Sequence, residues 1–145
     1  VDDCSYARPV DIQVLREELF ASAVGLWQEC GLTRPWNDAG EDLRRAMRSP
    51  DSTVLSYVRD GELAGTAMVG HDGHRGWVYY LAVRENERKR GVGRALMRAC
   101  EEWTTAHGVP KLQLMVRAGN EPVLTFYERL GYETNDVVVL GRRLD

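Results

Sequence analysis

Cysteine is scarce in this chain, which has only Cys4, Cys30 and Cys100, an odd number with no C-x-x-C pair. That argues against the disulfide framework of a small secreted domain and against a thiolate zinc site, and makes a reducing, cytoplasmic setting the expectation. Long apolar runs are missing too. None approaches the roughly 18 residues of a membrane helix, and no basic-then-apolar signal segment is visible. No repeat, low-complexity tract or linker divides the 145 residues, so one domain over 1–145 is expected. There is no excess of positive charge, since 19 Lys and Arg against 22 Asp and Glu give a net −3. Bulk attraction to nucleic acid or to an anionic membrane is therefore not expected. His71 and His74 share a glycine turn without a third ligand, and no metal is expected.

What is present begins with helical spacing over Asp11 to Cys30, where Leu15, Leu19, Phe20, Ala23, Val24 and Trp27 recur on one side before Gly31. Asp38 with Glu41 opens a second, short helix that Pro50 stops. Between them lies the loop Thr33-Arg34-Pro35-Trp36-Asn37, an aromatic and a cation in a position that often faces ligands. Thr53 to Arg59 and Glu62 to Val69 read as strands joined by an Asp60-Gly61 hairpin turn. Gly76 to Val83 is apolar almost throughout, the mark of a strand covered on both faces. A third helix carries Val92, Ala95, Leu96, Ala99 and Trp103, a short strand carries Leu112, Leu114 and Val116, and Asn120 caps a fourth helix with Pro122 in its first turn. Val137 to Leu140 reads as a closing strand, and a further strand is possible before Pro9. The class is α/β with a mixed sheet.

The charge is uneven. Arg84, Arg88, Lys89, Arg90, Arg94 and Arg98 crowd into fifteen positions at the junction between the Gly76–Val83 strand and the third helix. Free N–H groups at a helix start, glycines that admit close approach, and guanidiniums around them form an anion cradle suited to a diphosphate. Charge alone allows the plainer reading of a solvated turn. A Walker loop is absent, and a dinucleotide fingerprint fails because Leu96 stands where its third small residue is required.

Arg88-x-x-Gly91-x-Gly93 resembles the coenzyme A pyrophosphate loop of the GNAT acyltransferase superfamily, and Asn120 followed by Tyr127 resembles that family's second motif. Arg34-Pro35-Trp36-Asn37-Asp38, Asp72-Gly73-His74-Arg75-Gly76 and Leu140-Gly141-Arg142-Arg143-Leu144 look like the small bacterial YpeA-type subgroup. The resemblance implies a GNAT-like mixed, mostly antiparallel central sheet with two splayed parallel strands, flanked by four helices. It further implies acetyl-CoA as acyl donor, bound by Arg88, Lys89, Arg90, Gly91, Val92, Gly93 and Arg94, with its pantetheine arm along Leu81, Ala82 and Val83 and a hydrogen bond from Asn120. Direct attack by a primary amine follows, with Tyr127 as general acid to the CoA thiolate and also beside the cofactor.

The resemblance leaves the base unassigned, because the positions that supply a glutamate in related families are Met115 and Trp77 here. A lysine amine of pKa about 10.4 costs roughly 4 to 5 kcal/mol to deprotonate at neutral pH, an α-amine about 1, so the gap tilts toward a low-pKa amine or a water relay. Tyr79, Tyr80 and His74 are the candidate relays, and each is equally readable as core or turn. Arg34, Trp36, Asn37 and Asp38 are the candidate acceptor contacts. The expected acceptor is a small-molecule amine or a peptide N-terminus, with the protein a monomer or a homodimer. A catalytically silent acetyl-CoA-binding module is the alternative, and Tyr127 is the residue that separates the two.

Overall fold

A computed structural model describes residues 7–8 and 11–145. It divides into two compact units, one running to Met115 and one from Val116 to Asp145. The first unit holds a five-stranded sheet in the order β1-β2-β3-β4-β5. Its strands are β1 (Ile12–Val14), β2 (Ser52–Arg59), β3 (Glu62–His71), β4 (Gly76–Val83) and β5 (Leu112–Leu114). The first three junctions are antiparallel and β4 to β5 is parallel.

The β2–β3 hairpin follows from its turn. Asp60 and Gly61 both take positive φ, 52° and 78°, as a two-residue turn between twisted strands requires. Along β2, Val54, Leu55, Ser56 and Tyr57 are consecutively buried, and β3 buries Leu63 to Ala67 without alternation. Both faces of these strands are therefore covered. On one face α1 (Phe20–Glu29) and α2 (Ala39–Arg48) bury Ala23, Leu26, Trp27, Leu43 and Ala46 with Val54, Leu63 and Ala82. α3 (Val92–Ala106) packs against β2, β3 and β4, burying Val92, Ala95, Leu96, Met97 and Cys100.

Two glycines set how closely α3 approaches. A methyl at Gly65 in β3 would lie 2.8 Å from Val92 Cγ1, 3.0 Å from Leu96 Cδ1 and 3.1 Å from the Ala82 carbonyl oxygen. A methyl at Gly76 would meet Thr104 Cγ2 at 2.8 Å. Overfilling such a contact typically costs about 1–3 kcal/mol. Gly65→Ala is accordingly expected to lower the unfolding free energy by that much, read as a lower urea midpoint; an unchanged midpoint would show that α3 shifts freely.

Burial pushes the Cys100 thiol up to about 12, with Glu101 nearby adding to the effect. Cys100 is expected to resist iodoacetamide in the native protein and to react only on unfolding, which peptide mass mapping reads directly.

Several expectations are corrected. The first helix does not begin at Asp11: Ile12–Val14 is β1, paired with Leu55 to Tyr57, and a 3-10 turn at Glu17–Leu19 leads into α1 at Phe20. The edge of the sheet, which a helical pattern does not register, draws these three residues into a ladder. A strand before Pro9 lies largely outside the described residues. In the second unit α4 (Glu121–Arg129) forms as expected with Pro122 in its first turn, but Asn120 makes no side-chain cap bond. Val137 to Leu140 is not a strand. These residues stand 70, 85, 60 and 91% exposed, and β-branched composition alone does not make a strand.

Candidate active site

β4 parts from β5 early. The parallel pairing covers only Gly76 with Leu112, Trp77 with Gln113 and Val78 with Leu114, so from Tyr79 onward that edge of β4 has no partner among the described residues. A peptide-like arm has main-chain donors and acceptors to meet there. On its other edge β4 carries a bulge. Tyr79 pairs with Met68 and Ala82 with Thr66, so Tyr80 and Leu81 oppose Ala67 alone. Tyr80 sits in the left-handed region at φ 52°. For a bulky aromatic this costs on the order of 1–3 kcal/mol and persists only where surrounding contacts enforce it.

Those contacts are specific. The Trp27 ring stacks on Tyr80 with centroids 4.0 Å apart and planes 14° from parallel. Trp27 Nε1 donates to Thr66 Oγ1 at 2.8 Å, and Thr66 Oγ1 donates to the Tyr80 carbonyl at 3.1 Å. The Tyr80 hydroxyl donates to Asp42 Oδ2 at 2.7 Å, and Asn37 Nδ2 donates to the same carboxylate at 2.6 Å and to the phenol oxygen at 3.3 Å. Burial raises the Tyr80 phenol above its ordinary value, and the Asp42 carboxylate reinforces the shift. Tyr80 is thus a protonated donor committed to Asp42, not a free proton acceptor. Burial also raises Tyr79, with a smaller contribution from Asp72, and that side chain stands 44% exposed on β4.

After β4 the chain makes a 3-10 turn at Glu85–Glu87 and enters α3 through Arg88 to Gly91. Lys89 at φ 68° and Gly91 at φ 74° bend the backbone, and the carbonyl of Gly91 accepts from Ala95 as the first helical bond. The first-turn N–H groups of Val92, Gly93 and Arg94 have no helical acceptor, and with the dipole they offer donors suited to an anion. Arg88, Lys89 and Arg94 are exposed around it. Arg88 Nε donates to the Val83 carbonyl at 3.3 Å and its Nη2 approaches Cys30 Sγ at 3.9 Å.

Not all six cations of the cluster face outward in the same way. Arg84 donates to the Leu63 carbonyl at 2.8 and 3.0 Å, a link to β3. Glu87 Oε2 is buried without a hydrogen bond and lies 3.9 Å from Arg90 and 3.8 Å from Arg59. Arg90 is therefore drawn partly inward. Its carbonyl accepts from Ala7 at 2.9 Å.

An open cleft of about 570 Å³ lies between α1, the following loop and α2, lined by Arg34, Asn37 and Asp38 with Val24, Gln28 and Pro35. The predicted residues that line it also have local tasks. Arg34 Nη1 binds the carbonyls of Gly31 and Thr33, and Asp38 caps α2 by accepting from the Glu41 N–H at 3.0 Å. Trp36 does not line the cleft and is 63% exposed. His74 is an exposed turn residue whose N–H donates to Asp72 Oδ1. That bond and the Arg75 N–H, the stronger influence, hold the Asp72 carboxyl below its usual value. These turn contacts are present at neutral pH and are lost as pH falls through that lowered value.

In the second unit Tyr127 is buried on α4, edge-on to Phe126 at 5.0 Å and to Tyr132 at 5.9 Å, while Asn120 is exposed at the start of the helix. Sequence reasoning missed Thr66, Trp27 and Asp42. Thr66, a hydroxyl in an apolar strand, was the one visible signal; Trp27 read as one of a helix's apolar positions, and nothing in the spacing marked Asp42.

A mixed α/β sheet whose parallel strands part beside a basic helix N-terminus defines the architectural class. Residues 13–132 match the model of the acetyltransferase (GNAT) family, and the chain belongs to that family. Among solved structures it is similar to the aminoglycoside N-acetyltransferase AAC(6')-Iy in complex with CoA, at 19% identity over 93% of this chain and 95% of that one, TM-score 0.79. A putative acetyltransferase from Agrobacterium tumefaciens matches at 19% identity over 91% and 99%, TM-score 0.77. The aminoglycoside acetyltransferase meta-AAC0020, from an uncultured soil metagenomic sample and in complex with sisomicin, matches at 16% identity over 92% and 95%, TM-score 0.75. At these identities the likeness is one of fold.

Proposed function

We propose that the chain is a single acetyltransferase domain that moves the acetyl group of acetyl-CoA to a primary amine of a small, cationic acceptor by direct attack in a ternary complex. The observation that carries this reading is the opening of β4 from β5 beside the N-terminus of α3 and its exposed cations. The diphosphate lies against Arg88, Lys89, Arg94 and the amides of Val92 and Gly93, and the pantetheine arm meets the free edge of β4 at Leu81 to Val83. The amine attacks the thioester carbonyl, the oxyanion is met by main-chain N–H groups at the bulge, and Tyr127 protonates the departing sulfur. Asn120 bonds the coenzyme arm.

The acceptor occupies the cleft beside Arg34, Asn37 and Asp38. Asp38, together with Asp42 nearby in α2, favours a cationic ligand, and the neighbours' aminoglycoside ligands support the same acceptor chemistry. With Tyr80 committed to Asp42, deprotonation falls to water or to Tyr79 and His74. No described helix is long and apolar enough to cross a membrane, and a cytoplasmic, small-molecule role fits. The motif-level likeness to the YpeA-type subgroup belongs to the same proposal.

The test follows CoA thiol release from acetyl-CoA across aminoglycosides, polyamines, amino acids and N-terminal peptides. Turnover with a polycationic small amine is expected. Binding of acetyl-CoA without turnover on any amine would instead identify a silent coenzyme-binding module.

A further inference from the structure

The fold leaves one group of buried side chains whose arrangement exceeds what packing demands. Thr66 is fully buried on β3, in a run of otherwise apolar residues from Leu63 to Val69 broken only by Gly65. Its hydroxyl is used in both senses, accepting from the Trp27 indole and donating to the Tyr80 carbonyl. A Val of the same shape would fill the space as well, so the hydroxyl serves the hydrogen bonds. Tyr80 is then held at three places: its ring face by Trp27, its carbonyl by Thr66, and its hydroxyl by Asp42 and Asn37. The residue so held is the left-handed one that makes the bulge.

The bulge matters because it decides where the main chain of β4 points on the edge that β5 has left. The hydroxyl of the same Tyr80 reaches Asn37, which lines the acceptor cleft. A single side chain thus connects the strand edge with the cleft wall. We propose that Thr66 is a positioning residue for acyl transfer, fixing the Tyr80 bulge against Trp27, and that the Tyr80–Asp42–Asn37 chain couples this bulge to the acceptor cleft. The proposal rests on the acetyl-CoA reading above. Thr66 touches neither substrate; it acts through the Tyr80 carbonyl. Asp42 and the Tyr80 phenol act through Asn37.

Thr66→Val and Thr66→Ser are compared with the wild type by steady-state kinetics with a turned-over amine, and by calorimetric binding of acetyl-CoA. Misplacing a reacting group by about 1 Å can cost on the order of 10²-fold, so Thr66→Val is expected to lower kcat by about tenfold or more. Its acetyl-CoA affinity is expected to fall by a smaller factor than kcat, since the diphosphate site at Arg88 to Arg94 is untouched and only the arm's contact with β4 is displaced. Thr66→Ser, which keeps the hydroxyl, is expected to recover most of the loss. Tyr80→Phe keeps the ring stack and bulge but severs Asp42 and Asn37, and is expected to raise the acceptor KM about tenfold at unchanged acetyl-CoA affinity. It carries the test if Thr66→Val does not fold.

Wild-type kcat in a folded Thr66→Val protein, an equal loss in Thr66→Ser, or an unchanged acceptor KM in Tyr80→Phe would overturn the proposal. Failure of the wild type itself to bind acetyl-CoA would instead remove the reading beneath it.

Discussion

Tyr127→Phe is expected to lower kcat by about 10²–10⁴-fold, the usual contribution of a positioned general acid, while leaving acetyl-CoA affinity close to wild type. The phenol of a tyrosine, with a pKa of about 10, donates to sulfur only as negative charge develops there, so its removal is felt in the transition state and not in ground-state binding. The ring's packing is retained in Phe, because the edge-on contacts to Phe126 and Tyr132 are made by the ring itself. A fall in stability equal to the fall in rate would return Tyr127 to the role of core aromatic. An unchanged kcat would remove it as the acid.

The second large effect is expected at Arg88. Arg88→Glu places a carboxylate at the mouth of the anion site and is expected to raise the acetyl-CoA KM by about 10²-fold or more. Loss of one charge-assisted hydrogen bond is typically about 1.5–3 kcal/mol, and the reversed sign adds repulsion. Arg88 is exposed, and its guanidinium rests on the Val83 carbonyl and near Cys30, so turning toward a diphosphate costs little in folding. In the wild type the same KM should climb with ionic strength, because exposed charges are screened over a Debye length of about 10 Å at 0.1 M salt. A KM insensitive to both changes would move the diphosphate elsewhere. Arg84→Ala provides the contrast: it is bonded to the Leu63 carbonyl, and its loss is expected to appear in stability before it appears in KM.

The outline of this molecule was legible where local chemistry decides it. Asp60-Gly61 fixed a hairpin, Asp38 with Glu41 a helix start, and the Gly76–Val83 run a strand, and the structure has each of them. The α/β class with a mixed sheet was readable from the run of elements, while the parallel pair was implied only by the family resemblance. Legibility ended where distant residues decide. Ile12–Val14 continue a helical pattern in the sequence and become a strand because Leu55 to Tyr57 offer a ladder. Val137 to Leu140 carry strand composition and form no strand. The basic cluster showed in the sequence as six cations, but only the fold shows Arg84 turned to β3 and Arg90 drawn toward Glu87. The bulge at Tyr80, with Trp27, Thr66 and Asp42 gathered from three other elements, has no signature in spacing at all. Four residues separated by as many as 53 positions in the chain meet only after folding.

The central claim, direct transfer from acetyl-CoA to an amine nitrogen, is tested most directly by following a labelled acetyl group. The protein is mixed with an equivalent amount of acetyl-CoA, with and without a polycationic amine, quenched, and the label located by mass spectrometry. Label on the amine nitrogen, with CoA thiol released in equal amount and no acetyl group on the protein in either mixture, is the predicted result. Label on a protein side chain before the amine is added, or an intact thioester with every amine, would contradict it.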